Sequence, residues 1–99
     1  MIRGTTPLLE FVLPFDIDLL TEAYISLSQD GNIKVNKKLS ECEQNGNKLS
    51  VKLTQEETLK LQDNKFTEIQ LKVKTTEGDV MASQIIRKST ERILNEDVM

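Results

Sequence analysis

The sequence predicts a small all-β protein, an antiparallel β-sandwich of six to seven strands with one short helical crossover near residues 54–61. Apolar and polar residues alternate in several short segments, and turn signals separate these segments about every eight to twelve residues. Only four of the 99 residues are aromatic. The core must therefore consist mainly of leucine, isoleucine and valine, and the branched residues among them favour strands.

The chain is long enough for one domain and too short for two independent cores. It contains no internal repeat and no low-complexity segment. We expect a single β-sandwich domain over residues 1–94, followed by a short acidic tail at residues 95–99 that frays.

The first predicted strand covers residues 8–13, an apolar run bounded by Pro7 and Pro14. Because proline cannot donate to a strand ladder, its presence at both ends favours an edge strand or the entry into a sheet. Residues 16–20 follow as a loop or a single helical turn. A second strand at residues 23–28 alternates apolar with polar side chains, so one of its faces is expected to be buried.

A tight hairpin is predicted at Asp30-Gly31, since glycine accepts the positive φ that such turns require. A third strand follows it. In that strand Ile33 and Val35 resume the alternation and are expected to share one face.

A second reversal is predicted at Asn45-Gly46, with two possible placements of the turn. Both placements put Cys42 on the same face as Leu49 and Val51, because side chains alternate strictly along a strand. Cys42 is therefore expected to be a small core residue.

A capping box marks the start of the predicted helix. Thr54 and Glu57 have the required spacing: the hydroxyl accepts from the amide three residues on, while the carboxylate reaches back to the first amide. The helix is expected to begin there and to end near Leu61.

The last two strands form a hairpin that contains Gly78, and the register of the second strand is open. A two-residue turn places the even-numbered side chains inward: Ala82, Gln84 and Ile86. A three-residue turn with a bulge at Gly78 places the odd-numbered side chains inward: Met81, Ser83 and Ile85. The adjacent isoleucines indicate a bulge, or burial on both faces, at that point.

Composition argues against nucleic-acid binding and against the usual catalytic centres. The formal net charge is −3 and the basic residues are scattered among acidic ones, so no face is ready to neutralise a run of phosphates. Histidine is absent, which removes the commonest general base and the commonest transition-metal ligand. We therefore predict no enzyme activity, no cofactor and no nucleic-acid partner.

The acidic residues have structural explanations. Asp16 and Asp18 lack the further ligand, the glycine and the distal glutamate of a calcium loop, so no metal site is predicted. Glu56 and Glu57 are neighbours on a helix and point about 100° apart instead of converging on a substrate. An enzyme would need a fold that gathers four scattered carboxylates in one cleft: Asp16, Asp18, Glu77 and Asp79.

Cys42 is the only cysteine, so no internal disulfide can form and a cytoplasmic location is expected. Its expected inward position favours an inert, protonated thiol. Residues 1–7 lack the features of a signal peptide, and no segment approaches the roughly 18 apolar residues of a membrane span. We expect no membrane partner.

Three stretches of the sequence, taken in order, resemble a known family. They are Ile2-Arg3-Gly4-Thr5-Thr6-Pro7 before the first strand, Asp18-Leu19-Leu20-Thr21 before Ala23-Tyr24-Ile25-Ser26, and Leu53-Thr54-Gln55-Glu56-Glu57-Thr58-Leu59 before Glu68-Ile69-Gln70-Leu71. The chain looks like a family of small proteins from phages and prophages of Gram-positive bacteria. In layout it is similar to the N-terminal immunoglobulin-like module of phage baseplate upper proteins. In those modules the segment that resembles residues 53–59 is a short helical crossover between two strands.

The resemblance implies an immunoglobulin-like structural module of a phage or prophage tail or baseplate. Such a module binds further copies of itself or other phage structural proteins, and it occurs in the host cytoplasm and in assembled virions. Two features suggest the contact residues: a first strand that is very apolar for a free edge and one exposed aromatic ring. The expected partner-binding residues are Leu9, Phe11, Val12 and Tyr24.

The alternative function is a soluble regulatory or host-directed binding protein of a mobile element that is not part of the virion. A conspicuously charged binding face would favour this alternative.

Overall fold

The structure is a computed structural model that describes residues 1–99. It has eight strands in two antiparallel sheets and one short α-helix. The predicted small all-β sandwich is confirmed, but the predicted number of six to seven strands is too low. The elements are β1 Leu8–Val12, β2 Leu20–Gln29, β3 Asn32–Lys38, β4 Glu43–Asn45, β5 Lys48–Lys52, α1 Gln55–Leu59, β6 Lys65–Thr75, β7 Val80–Ala82 and β8 Ile86–Thr90. Two 3₁₀ turns lie at Ile17–Leu19 and Leu39–Glu41.

The small sheet has the strand order β1-β5-β4, and the large sheet has the order β3-β2-β6 with β7 and β8 both paired to the far side of β6. β1 is therefore an edge strand, as its flanking prolines predicted. The core is a cluster of 14 buried residues, all of them leucine, isoleucine, valine or alanine, drawn from both sheets and the segments between them. This composition agrees with the expectation from the low aromatic content.

The structure defines the turns of the hairpins that follow β2 and β6. Gln29 pairs with Asn32, and the two residues between them have φ values of 51° and 79°, which is the pattern of a type I′ turn. In the last hairpin the N–H of Thr75 donates to the carbonyl of Asp79 at 2.8 Å. Gly78 has a φ of 92° within this three-residue loop, so the three-residue alternative is the one that the chain adopts.

Helix α1 begins with the predicted capping box. The Thr54 hydroxyl accepts from the N–H of Glu57 at 3.1 Å, and the Glu57 carboxylate accepts from the N–H of Thr54 at 2.9 Å. The helix ends at Leu59, two residues before the predicted end, and Leu61 is buried in the core beyond it.

A bulge in β3 corrects the prediction for Ile33. Leu27 pairs with Val35, whereas Ser28 pairs with Ile33, so one extra residue, Lys34, lies in β3. Val35 faces the core and is buried, but Ile33 is turned to the outer face and is 65% exposed. The extra residue shifts the phase of the alternation, and the two side chains do not share a face.

A second bulge resolves the register of the last strand. Val73 pairs with Met81 before the bulge, and Ile69 pairs with Ile86 after it. The segment from β7 to β8 therefore contains one residue more than the part of β6 that it faces. Met81 and Ile86 therefore both face inward, while Ile85, within the bulge, lines the outer face. Each of the two alternative registers holds on one side of this bulge.

Ser83 bridges the interruption between β7 and β8. Its N–H donates to the carbonyl of Leu71 at 2.8 Å, and its hydroxyl accepts from the N–H of Leu71 at 2.9 Å. One serine thus supplies both hydrogen bonds that a regular ladder residue would supply through its backbone.

Cys42 follows the second 3₁₀ turn and packs, half-buried, against the core. Its position is less interior than predicted. Its thiol donates to the carbonyl of Lys38 at 3.3 Å. Burial, and then the charge of Glu41, raise the pKa of the Cys42 thiol, which favours the protonated form.

Candidate protein-interaction site

The outer side of β1 carries unpaired backbone groups. The N–H of Leu53 donates to the carbonyl of Pro7 at 3.0 Å, and the N–H of Leu13 donates to the carbonyl of Asn47 at 2.8 Å. Because hydrogen bonding alternates along an antiparallel strand, the odd-numbered residues between these points bond to β5. The backbone groups of Leu8, Glu10 and Val12 therefore point away from the sheet.

The side chains of β1 divide between the two faces of the small sheet. Leu8 and Val12 point outward and are 57% and 67% exposed. Glu10 lies between them, opposite Ser50, and belongs to no ion pair. Leu9 and Phe11 point inward and are half-buried against the core. Three of the four predicted contact residues thus lie on one edge strand, on two different faces.

An apolar cleft of about 190 Å³ opens beside this edge, between the end of β1 and β7. We call it the side cleft. Eight residues line it, namely Leu13, Pro14, Phe15, Leu71, Val73, Met81, Ala82 and Ser83. Met81 and Ile86 stand on the inner face of the large sheet, yet they are 41% and 45% exposed. The core is therefore incompletely covered on the side of the sandwich where the segment after β1 lies opposite β7.

Tyr24, the fourth predicted contact residue, lies on the outer face of the large sheet and is 36% exposed. The fold separates it from the edge strand, because β2 belongs to the other sheet. It contributes to a trough of about 410 Å³, here called the outer trough. The outer trough is lined by Tyr24, Ser26, Ser28, Ile33, Asn36, Glu68, Gln70, Lys72 and Ile85.

Both bulges turn an isoleucine toward the outer trough. Ile33 comes from the bulged edge of β3 and Ile85 from the bulge between β7 and β8, on opposite sides of the trough. The sequence predicted that Ile33 shares a face with Val35 and left the face of Ile85 open, because the position of a bulge depends on pairing between distant strands. The adjacent isoleucines at residues 85 and 86 were the only signal that could have revealed it.

A largely buried ion pair between Lys37 and Glu57 joins β3 to helix α1. The ammonium group of Lys37 lies 2.7 Å from the Glu57 carboxylate and 3.5 Å from that of Glu41. Burial raises the pKa of Glu57, but the hydrogen bonds from Lys37 and Thr54 outweigh burial and hold that pKa below 4.5. Burial likewise lowers the pKa of Lys37, and the pairing with Glu57 overcomes this and raises it above 10.5. Both groups are therefore charged at neutral pH.

The first 3₁₀ turn and the last hairpin loop, which carry the four acidic residues of the enzyme alternative, are joined by a backbone hydrogen bond. The Asp16 carboxylate accepts from the N–H of Asp18 at 2.9 Å, which is a local capping contact. The N–H of Thr76 donates to the carbonyl of Leu19 at 2.8 Å and so brings the loop alongside the turn. No group of three or more acidic, cysteine or histidine residues is arranged to hold a metal ion.

No protein-family model, curated protein or solved structure matches this chain significantly. None of its helices has the length and apolar character needed to cross a membrane.

Proposed function

We propose that this protein is a non-enzymatic structural module of a phage or prophage, a component of the tail or baseplate that acts through protein-protein contacts. The observation that carries the proposal is the open edge of β1. Its unpaired backbone groups are flanked by exposed apolar side chains. The phage assignment itself is supported by the motif resemblance.

An edge strand with these properties is suited to joining protein chains. Soluble proteins normally protect sheet edges with charges, prolines, bulges or short strands, since a bare edge pairs with other chains. The edge of the large sheet at β3 shows such protection, since β3 carries a bulge and two lysines that are not buried, Lys34 and Lys38. β1 has Pro7 and Pro14 only at its ends and one charge, Glu10, in its middle. A partner strand could extend the small sheet there.

The outer trough supports a second candidate, a soluble regulatory or host-directed binding protein of a mobile element. Tyr24 offers an aromatic contact, and Ile33 and Ile85 add apolar area next to polar side chains. The ionisable side chains that line the trough, Glu68 and Lys72 together with Tyr24, give it no strong charge. We therefore place this candidate second.

The two candidates differ in where the protein is found after prophage induction. The structural proposal predicts that the chain co-purifies with particles of the source bacterium at a fixed copy ratio to the tail proteins, measured by quantitative mass spectrometry. Presence in the lysate together with absence from purified particles would contradict the structural proposal and support the regulatory one.

A further inference from the structure

We propose that the small sheet receives a fourth strand from a different protein. This strand lies beside β1, inserts alternate apolar side chains into the side cleft, and carries a lysine or arginine opposite Glu10. The inference rests on the proposed use of the β1 edge and names the chemistry of the partner.

The two sheets differ in width. The large sheet is four strands across, because β7 and β8 follow one another along the same side of β6, whereas the small sheet has three strands. The side cleft is lined by Leu13, Pro14 and Phe15, which directly follow β1, and by residues of β6 and β7. The β1 edge and the β7 side of the large sheet therefore lie along the same side of the sandwich. The position that a fourth strand of the small sheet would occupy is therefore next to β1.

Several apolar side chains that face this position are only partly buried. Met81 and Ile86 are inward-facing by register, but each leaves more than two fifths of its surface exposed. Leu9 and Phe11, on the inner face of β1, are only half-buried. Inward side chains of an added strand would stand beside Leu9 and Phe11 and over the side cleft, and would remove this apolar surface from water.

Backbone geometry indicates that the occupant is a strand. Leu8, Glu10 and Val12 point their N–H and carbonyl groups into the open position, in the spacing of an antiparallel ladder. A helix or a side-chain cluster could cover the cleft, but it would leave these groups without regular partners. An extended segment covers the cleft and pairs the groups at the same time.

Charge distinguishes a different protein from a second copy of this chain. Two β1 strands paired through all three free residues would place Glu10 directly opposite Glu10 of the other copy, and like charges in that arrangement are destabilising. The C-terminal tail of another copy is also unsuitable, since Glu96 and Asp97 lie between its exposed apolar residues. A basic side chain in the partner, in contrast, can form a direct ion pair with Glu10, which makes none within this chain and has Lys48 and Lys52 only as diagonal neighbours on β5.

The test uses the full chain and two synthetic peptides of about nine residues, which is within the usual range of strand lengths and longer than β1. Both alternate threonine with valine; one has lysine at its central outward position and the other has glutamate. The lysine peptide should slow amide hydrogen exchange at Leu8, Glu10 and Val12, and should bind about two- to fivefold more tightly than the glutamate peptide. In the E10K variant this preference should reverse.

A matched pair of variants tests the cleft. Met81→Lys places a charge in the side cleft and should weaken binding of the lysine peptide, whereas Val80→Lys changes the neighbouring side chain on the opposite face and should leave binding unchanged. Amide exchange of the free variants shows whether each is folded.

Three results would overturn the inference. The first is no slowing of exchange at the β1 amides by either peptide up to about 1 mM, the concentration range of weak binding. The second is equal binding of the two peptides by both the native chain and E10K. The third is concentration-dependent protection of the same amides without peptide, which would identify a second copy as the occupant. None of these outcomes changes the co-purification result, so the two proposals fail separately.

Discussion

Glu57 connects the start of helix α1 to Lys37, the one lysine that the core buries. One carboxylate oxygen accepts from the N–H of Thr54, and the other lies 2.7 Å from the ammonium group of Lys37. Loss of one member of such a pair leaves the other charge partly buried without a partner, which is strongly destabilising. This single side chain therefore holds α1 against β3.

Glu57→Gln should reduce the free energy of unfolding at pH 7 by about 1–3 kcal/mol, because it weakens the cap and removes the charge opposite Lys37. Urea denaturation followed by circular dichroism measures this change. Glu56→Gln is the matched control: Glu56 is the exposed neighbour on the same helical turn and makes no ion pair. Equal destabilisation by both substitutions would contradict the assigned role of Glu57.

The same pair predicts a pH dependence. Because the pKa of Glu57 is depressed in the folded protein, its stabilisation is present above pH 4.5 and is lost as the pH falls through the folded value. The difference in stability between the native chain and Glu57→Gln should therefore shrink below pH 4.5. The pKa of Lys37 is raised, so the pair also weakens when the pH rises beyond 10.5.

Contacts between residues close in the sequence could be predicted. The capping box of Thr54 and Glu57 was readable because both partners lie within one helical turn. Gln29, in contrast, is buried and bonds to the carbonyl of Gln62 at 2.9 Å and to its N–H at 2.8 Å. The sequence around Gln29 contains no pattern that indicates a contact with Gln62, 33 residues away. This interior contact could therefore not be predicted.

At the scale of elements, the N-terminal segment closes the C-terminal end of helix α1. The guanidinium group of Arg3 donates to the carbonyl of Leu61 at 2.5 Å and to that of Leu59 at 3.1 Å. It also pairs with Glu96 at 2.6 Å. Helix ends leave carbonyl groups without partners, and a forked donor is well suited to satisfy two of them together.

Arg3→Lys should lower the thermal midpoint by about 5–15 °C, since a single ammonium group cannot replace the fork and the loss amounts to about 1–2 kcal/mol. Differential scanning calorimetry measures the shift. Arg92→Lys, at an exposed arginine without an ion pair, serves as the control. A midpoint of Arg3→Lys equal to that of the control would contradict the capping role.

Strand existence was predictable from alternation, but strand phase was not predictable at the bulges. Ile33 and Val35 look alike in sequence, and only the pairing of β3 with β2 places them on opposite faces. The same holds for Ile85 and Ile86, which β6 assigns to opposite faces. Register between strands is a long-range property, whereas periodicity reports on one strand at a time.

At the scale of the whole molecule, the sandwich is open on one side. The free edge of β1, the side cleft and the exposed inner residues of β7 and β8 all lie there. The sequence indicated the edge strand through its prolines and apolar run. It could not indicate the cleft, because the difference in width between the sheets appears only when distant strands are assembled.

We propose that the β1 edge joins this protein to its neighbours, and a comparison of two lysine substitutions in induced particles tests this role. Val12 and Ile33 are almost equally exposed, at 67% and 65%, but Val12 lies on β1 and Ile33 on the outer face of the other sheet. We predict that Val12→Lys stays folded and is depleted from particles, while Ile33→Lys is incorporated at the native copy ratio. Incorporation of folded Val12→Lys at the native ratio would contradict the claim.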